Sequence, residues 1–327
     1  MKKQILILFG GKSCEHDVSV MGYGYMTSLF KDTDYNVIAV YIDRAGAWHL
    51  GGADGERVSL CLSEGAIALK TDKVRVDAAI PLLHGEGGED GRIQSLLEAA
   101  AIPFVGSDTV ASAVSRDKFY TKSVAASLGI PTARAVSFSR PTDTAAAYKT
   151  CLETLGLPMF IKPRRLGSSV GAHPVYTESD FYTYFPLAMQ KGEGLVIAEE
   201  LIVDKREIEC AYVELGKKTL ICEPGEILVD GFYGYGEKYG GGTKLSPIAD
   251  IGRDTQSRIK EYARMLVEAL CLRHLARIDF FLSGGKILFN EVNTFPGFTR
   301  DSLYPKMLEA SGIHPRDALV SFLEELC

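Results

Sequence analysis

Short apolar runs alternate with helical stretches through the first third of the chain. The runs at 5–9, 37–42 and 76–83 have the length of strands, and the stretches at 18–30 and 93–101 have the length of helices. Strands that alternate with helices build right-handed βαβ units on a parallel sheet. The pattern therefore predicts an α/β fold that begins with a parallel-sheet domain.

A second region is predicted to begin near residue 108. A short strand at 102–106 precedes it, and a single helix is predicted for 109–128. Residues 133–200 alternate strands and helices as a compact α+β unit. The remaining pattern predicts two strands from Glu207, a Gly- and Tyr-rich loop at 230–247, a helix at 254–270, a hairpin about Gly284-Gly285 and two terminal helices.

Length and charge argue against several classes of protein. A chain of 327 residues is long enough for two or three domains, each with its own core. A formal net charge of −6 disfavours a nucleic-acid binder, which normally carries a basic surplus. No apolar run approaches the roughly 20 residues that a membrane helix needs. The 7 cysteines are scattered and favour reduced thiols, so we expect a cytoplasmic protein.

The segment Lys162–Gly171 is a candidate phosphate-binding loop. A lysine at the end of a strand precedes a glycine-rich turn that contains Ser168 and Ser169. Backbone N–H groups, hydroxyls and one fixed positive charge are what a polyphosphate requires. The alternative is a surface loop with basic flanks. The P-loop pattern itself fails at Gly10–Ser13, because Leu6 stands where its first glycine should be.

A second glycine-rich loop, His84–Gly91, follows an apolar run that ends at Leu83. Small molecules bind at the carboxyl ends of strands in open α/β sheets, so a histidine and acidic residues at this position favour a ligand site. The alternative is a solvated turn whose acidic residues cap the next helix.

The strongest local signal is the pair of segments Arg277–Asp279 and Glu291–Asn293. The two-residue period of a strand places the first and last residue of each segment on one face. If the two faces coincide, three oxygen-bearing side chains converge on a hard cation such as Mg²⁺, beside a guanidinium that can stabilise negative charge. Asp279 can oppose Glu291 only across an odd-numbered loop or through a β-bulge. The alternative is an edge hairpin with polar residues outward.

Two glutamates end the strand predicted for 195–200, and a third lies beyond it. Glu199 or Glu200, together with Glu207, could hydrogen-bond an adenine amine and a ribose. They could equally be solvated charges at the edge of the sheet.

Taken together, these segments resemble the D-alanine–D-alanine ligase family of ATP-grasp enzymes, and the resemblance covers essentially the whole chain. The matching motifs, in order, are Phe9–Ser19, His84–Gln94, Asp117–Lys118, Lys162–Gly171, Glu237–Tyr239, Arg277–Asp279, Asn290–Asn293 and Pro296–Ser302. The resemblance implies an N-terminal Rossmann-like substrate domain at 1–108, a central ATP-grasp domain at 109–205 and a C-terminal ATP-grasp domain at 206–327. ATP would lie between the last two.

The resemblance also implies a role for each matching residue. The residues expected to bind ATP are Lys118, Lys162, Ser168, Glu199 or Glu200, and Glu207. The residues expected to bind two Mg²⁺ ions, with Mn²⁺ as an alternative, are Asp279, Glu291 and Asn293. The residues expected to act in catalysis are Glu15, Ser168, Tyr239, Arg277 and the N–H of Gly297. The residues expected to line the amino-acid sites are His84, Lys238, Ser302 and Leu303.

By the same resemblance the reaction is ligation of two D-alanines through an acyl phosphate, for peptidoglycan synthesis. Relatives use D-serine or D-lactate as the second substrate. The Glu237–Tyr239 context disfavours lactate but leaves D-alanine and D-serine open. The loop at 230–247 would act as a lid that orders over ATP and brings the Tyr239 hydroxyl to Glu15 and Ser168. A homodimer is the family expectation.

Two other functions remain as alternatives. Another ATP-grasp ligase would share the ATP and Mg²⁺ residues but would lack the motifs around Glu15 and His84. A catalytically silent nucleotide-binding regulator would have lost at least one metal ligand, and all three candidate ligands are present in this sequence.

Overall fold

The computed structural model describes residues 2–140, 142–228 and 244–327. The strands are Lys3–Gly10 (β1), Tyr35–Ile42 (β2), Trp48–Leu50 (β3), Arg57–Cys61 (β4), Ala66–Ala68 (β5), Lys73–Arg75 (β6), Ala78–Leu82 (β7), Ala135–Phe138 (β8), Met159–Pro163 (β9), His173–Val175 (β10), Val196–Glu200 (β11), Arg206–Leu215 (β12), Lys218–Ile221 (β13), Gly225–Leu228 (β14), Lys244–Ser246 (β15), Leu275–Ser283 (β16) and Lys286–Asn293 (β17). The helices are His16–Leu29 (α1), Arg92–Ala99 (α2), Thr109–Arg116 (α3), Lys118–Ser127 (α4), Thr144–Thr154 (α5), Glu178–Lys191 (α6), Arg253–Ala269 (α7), Leu303–Ala310 (α8) and Pro315–Leu326 (α9).

The first sheet has the order β6-β5-β4-β3-β2-β1-β7. Strand β1 pairs in parallel with both β2 and β7, which confirms the predicted parallel core. Strands β3 to β6 extend the sheet in antiparallel fashion, and the sequence analysis did not predict them. They are short and partly exposed, so they lack the continuous apolar run that identifies a buried strand.

The strands after β7 form two further sheets. One has the order β10-β9-β11-β8, and the other has the order β15-β14-β12-β16-β17, with β13 also paired to β12. The mixed α/β architecture with several sheets agrees with the predicted fold class. Its interior is built from aromatic and aliphatic side chains such as Tyr212, Phe280, Phe289 and Phe298, all almost fully buried.

Three local predictions were wrong. The helix predicted for 109–128 is two helices, because Asp117 has extended backbone angles (φ −91°, ψ 106°) between α3 and α4. The strand predicted for 102–106 makes a single bridge, between Ala79 and Phe104. The loop prediction is wrong at Lys244–Ser246, which pairs with β14 as a strand, while residues 230–243 lie outside the described residues.

The hairpin of β16 and β17 settles the register question. Gly284 and Gly285 form a two-residue turn with both φ angles positive (54° and 75°), a conformation that favours glycine. An even-numbered turn alone would leave Asp279 and Glu291 unopposed. The register shifts between Asp279 and Phe280, however, and this irregularity brings Asp279 opposite Glu291. The bulge, and not an odd-numbered loop, places the two carboxylates together.

Asp117 fixes the break between α3 and α4. Its buried carboxylate accepts hydrogen bonds from Arg164 at 2.8 Å and from Arg165 at 2.9 Å, and it also accepts from the Phe119 N–H at the start of α4. The Lys118 N–H in turn donates to the Arg164 carbonyl at 3.1 Å. The start of α4 is thereby tied to the chain that leaves β9. None of the described helices is long and apolar enough to cross a membrane.

We predict that Asp117→Asn lowers the free energy of unfolding by about 3 kcal/mol, because it leaves the buried Arg164 guanidinium without its counter-charge. The matched control is Asp17→Asn, which removes an exposed pair with Arg44 at the same 2.8 Å distance. The control should lose less than about 1 kcal/mol. Urea denaturation of both variants checks the difference, and equal losses would contradict this account of Asp117.

Candidate active site

Two cavities meet on one side of the β12-β16-β17 sheet. The first, of about 500 Å³, lies between this sheet and the β10-β9-β11-β8 sheet. The second, of about 760 Å³, lies between the same sheet and the loops that follow β1 and β7. Lys118, Ser168, Arg277 and Glu291 line both cavities. Gly167, Glu209 and Ile227 also line both cavities, so a ligand in the first cavity and a ligand in the second would meet beside these shared residues.

Lys162 points into the first cavity from the end of β9. Its ammonium lies 2.9 Å from Oε2 of Glu199 on the neighbouring strand β11. A second buried lysine, Lys122 on α4, lies 3.2 Å from Oε1 of the same carboxylate. Burial alone would raise the pKa of Glu199, but the two lysines lower it to about 2. Glu199 is therefore a fully ionised carboxylate between two cations.

Glu200 is engaged on the other side of β11. Its carboxylate accepts from the backbone N–H of Arg134 at 2.9 Å and from the Arg134 guanidinium at 2.8 Å. Glu200 and Glu207 both contribute to the wall of the first cavity, and Glu207 pairs with Lys205 at 2.9 Å. Of the two neighbouring glutamates, Glu199 is the one whose carboxylate is held beside Lys162.

Lys118 lies at the junction of the two cavities. Its ammonium donates to the Leu166 carbonyl at 2.7 Å and lies 3.4 Å from Oε2 of Glu291. Burial lowers the pKa of Lys118 to about 8, although Glu291 opposes the shift. The charge of Lys118 is therefore poorly solvated, and a negatively charged ligand would stabilise it.

The candidate metal ligands converge as the sequence predicts. Asp279 opposes Glu291 across the hairpin, and the Asn293 amide donates to Oδ2 of Asp279 at 3.0 Å. The Arg277 guanidinium forms two hydrogen bonds to Asp279, at 2.8 and 2.9 Å, and lies 3.1 Å from Oε2 of Glu209. Carboxylate and amide oxygens form the donor set that Mg²⁺ prefers, so these residues fit such an ion.

The loop after β9 reaches across to α1. Ser168 and Ser169 both have positive φ (51° and 58°), and the Ser168 hydroxyl donates to Oε1 of Glu15 at 2.7 Å. The predicted contact between Ser168 and Glu15 is therefore present, although the two residues lie far apart in the sequence. It joins the first cavity to the second.

The floor of the second cavity contains four ionisable residues. The Nδ1–H of His84 donates to the Phe295 carbonyl at 3.1 Å, and Glu89 accepts from the Gly85 N–H at 2.8 Å. Arg116 lies 3.5 Å from Glu89. Burial raises the pKa of Glu89, and Arg116 opposes that rise. Together with Glu15, these side chains offer both signs of charge to a small zwitterion.

The far wall of the second cavity is the N-terminal end of α8. Ser302 precedes the helix, Leu303 is its first residue, and Gly297 packs against Ser302. The N–H groups of a first helical turn favour an anion such as a carboxylate. The predicted residues Gly297, Ser302 and Leu303 are thus brought together, with Arg277 and Asn293 on the same cavity.

Two predicted site residues, Lys238 and Tyr239, lie outside the described residues, as does most of the predicted lid. Three residues that the structure places in or beside the cavities had no role predicted from the sequence: Arg116, Lys122 and Glu209. Glu89 was predicted only as one of the acidic residues of the loop His84–Gly91. A signal for Lys122 was available, because it follows Lys118 by one helical turn and therefore shares its face of α4. Its acidic partner, Glu199 on strand β11, could not be identified from sequence spacing.

Comparison with known proteins gives one consistent result. The family profiles described as D-ala D-ala ligase N-terminus and C-terminus match residues 4–107 and 124–324. The D-alanine–D-alanine ligase of Shouchella clausii is 36% identical over 352 aligned positions, which cover 99% of this chain and 94% of the relative. The crystal structure of D-alanyl-alanine synthetase A from Vibrio cholerae has a TM-score of 0.92 and 34% identity, and covers 100% of this chain and 99% of its own. The VanG D-Ala:D-Ser ligase from Enterococcus faecalis has a TM-score of 0.90 and 31% identity, with 100% of both chains covered.

We predict that Gly167→Ala impairs the site without unfolding the chain. An added Cβ would lie 3.1 Å from Nη1 of Arg116 and 3.3 Å from Oε2 of Glu15, so the Ser168 loop would have to move by a few tenths of an ångström. We expect kcat/KM to fall about 10-fold, because displacement of positioning groups is costly. The control is Gly52→Ala, where an added Cβ meets open space. Activity equal to that of the control would contradict the proposed role of the loop.

Proposed function

This chain belongs to the D-alanine–D-alanine ligase family, and we propose that its two cavities hold ATP and a pair of D-amino acids side by side. The chain is an ADP-forming ligase that joins two D-alanines, a reaction of cell-wall synthesis. The observation that carries the proposal is the junction of the cavities, where Lys118, Ser168, Arg277 and Glu291 line both. A phosphoryl group and a carboxylate could meet there.

ATP is proposed to occupy the first cavity. Lys118 and Lys162 would neutralise its phosphates, and the N–H groups of the Ser168 loop would donate to them. Glu199 is the better candidate than Glu200 for the adenine amine, because its carboxylate lies beside Lys162 while Glu200 is bound to Arg134. Glu207 would accept from the ribose.

Asp279, Glu291 and Asn293 are the residues proposed to hold two Mg²⁺ ions, with Mn²⁺ as an alternative. When bound, such ions neutralise phosphate charge and orient the γ-phosphate. The donor set of oxygens and the opposed register of Asp279 and Glu291 support this proposal.

The second cavity is proposed to hold both amino acids. Glu15, fixed by Ser168, would bind the ammonium of the first D-alanine, and His84 would line its site. Tyr239 is proposed to join this hydrogen-bonded group. The carboxylate of the second D-alanine would bind at Ser302 and Leu303, with Lys238 as a further cation.

The charge arrangement then accounts for the chemistry. A carboxylate is a poor electrophile, so the first D-alanine takes the γ-phosphoryl group of ATP and becomes an acyl phosphate. The second amine attacks the acyl carbon, and phosphate leaves. Arg277 and the Gly297 N–H would stabilise the oxyanion of that second step. Lys118 and Lys162 would neutralise phosphate charge in the first step. A closed site would keep water from the acyl phosphate.

Cytoplasmic location and a homodimer are proposed on family membership, with the net charge and the scattered cysteines in agreement with the first. Size-exclusion chromatography with light scattering tests the dimer. D-Serine is the second candidate for the acceptor substrate, because a D-Ala:D-Ser ligase superposes over the whole chain.

We expect the purified chain to release phosphate and ADP with D-alanine, ATP and Mg²⁺, and to form D-alanyl-D-alanine. When D-alanine and D-serine are supplied together, mass spectrometry of the products measures the ratio of D-alanyl-D-alanine to D-alanyl-D-serine. L-Alanine is the matched control for the substrate. A chain that binds ATP but forms neither dipeptide would contradict the proposal and favour a regulator.

A further inference from the structure

Lys122 has no assigned role in the reaction, yet it pairs with Glu199, which lines the first cavity. It belongs to the buried face of α4, one helical turn after Lys118. Its side chain is 6% exposed, and its ammonium lies 3.2 Å from Oε1 of Glu199. Lys122 does not line the first cavity, whereas Glu199 and Lys162 do, and the two lysines contact different oxygens of the Glu199 carboxylate.

The three charges Lys122, Glu199 and Lys162 cannot be understood as one ordinary ion pair. Glu199 is 4% exposed at its side chain and Lys162 is 9% exposed, so water provides little solvation to either. Two ammonium groups share one carboxylate, at 3.2 and 2.9 Å, and the set carries one net positive charge. A buried uncompensated charge is costly unless a ligand repays it.

The position of each lysine decides where that surplus charge acts. Lys162 lines the first cavity and Lys122 lies behind the carboxylate. If Glu199 had Lys162 as its only partner, the two would neutralise each other, and the wall of the cavity would carry no net charge at that point. With Lys122 present, the negative charge of Glu199 is balanced by a lysine that does not line the cavity.

We propose that Lys122 is a positioning residue that neutralises Glu199 from behind, and so leaves the charge of Lys162 free to attract the phosphates of ATP. The inference rests on the proposed function of the first cavity. It assigns to Lys122 a part in phosphate affinity although it touches no ligand. Burial lowers the pKa of Lys122, and the carboxylate of Glu199 opposes that shift.

The test compares two ligands that differ in phosphate. Calorimetry measures the Kd of Mg-ADP and of adenosine, and their ratio reports phosphate attraction apart from adenine contacts. We expect Lys122→Met to lower the ratio of Kd(adenosine) to Kd(ADP) about 10-fold, because one unit charge is lost within a poorly solvated site. A control variant, Lys260→Met, removes a lysine paired at 2.6 Å with Glu223 away from the cavity, and should leave the ratio unchanged.

A double variant that removes both charges of the Lys122–Glu199 pair tests the proposal more directly. The double variant Lys122→Met/Glu199→Gln removes one positive and one negative charge, so Lys162 is again uncompensated. We expect it to restore the ratio to within about 3-fold of the parent chain. A ratio that stays low in the double variant would overturn the proposal, and so would an unchanged ratio in Lys122→Met. Equal losses for ADP and adenosine would show that Lys122 shapes the adenine site instead.

Folding is checked by the thermal melt of each variant. If Lys122→Met does not fold, Lys122→Arg and the double variant carry the test, and both should keep the ratio within about 3-fold of the parent. A 10-fold fall in either would overturn the inference. A parent chain that fails to bind Mg-ADP contradicts the proposed function itself, whereas binding by the parent with no effect of Lys122 contradicts this inference alone.

Discussion

The pairing of buried cations with carboxylates that are held on strands is the constraint on which the site depends. Lys162 is held by Glu199, Lys118 by Glu291, and Arg277 by Asp279. Each of these charges would be expensive to bury without its partner. Because the carboxylates stand on β11, β16 and β17, the two sheets fix the positions of the charges before any ligand arrives.

Backbone irregularities bring those charges into register. Asp279 and Glu291 face each other only because the ladder shifts by one residue beside Asp279. Lys118 points to the junction because α3 and α4 are broken at Asp117, which two arginines hold. Both features interrupt regular structure at a functional position, as is common where a site must place a side chain that a regular element would direct elsewhere.

Much of the fold and site could be predicted from the sequence, and the failures have physical causes. The parallel strands and the hairpin carry continuous apolar runs or turn glycines, so β1, β2, β7 and β16–β17 were predictable. The break at Asp117 was not, because helix propensity continues through it and tertiary ion pairs decide its conformation. Lys122 was missed for the same reason: its partner Glu199 lies far along the chain. Spacing alone left Glu199 and Glu200 equivalent, and their partners separate them: Lys162 pairs with Glu199, and Arg134 pairs with Glu200.

The central claim is that the γ-phosphoryl group of ATP is transferred to the carboxylate of the first D-alanine where the two cavities meet. D-Alanine labelled with ¹⁸O in both carboxylate oxygens tests it, because formation of the acyl phosphate moves one of those oxygens onto phosphorus. The account predicts that each phosphate released during synthesis carries one ¹⁸O atom, while the other remains in the new peptide bond. Release of unlabelled phosphate together with labelled dipeptide would contradict it.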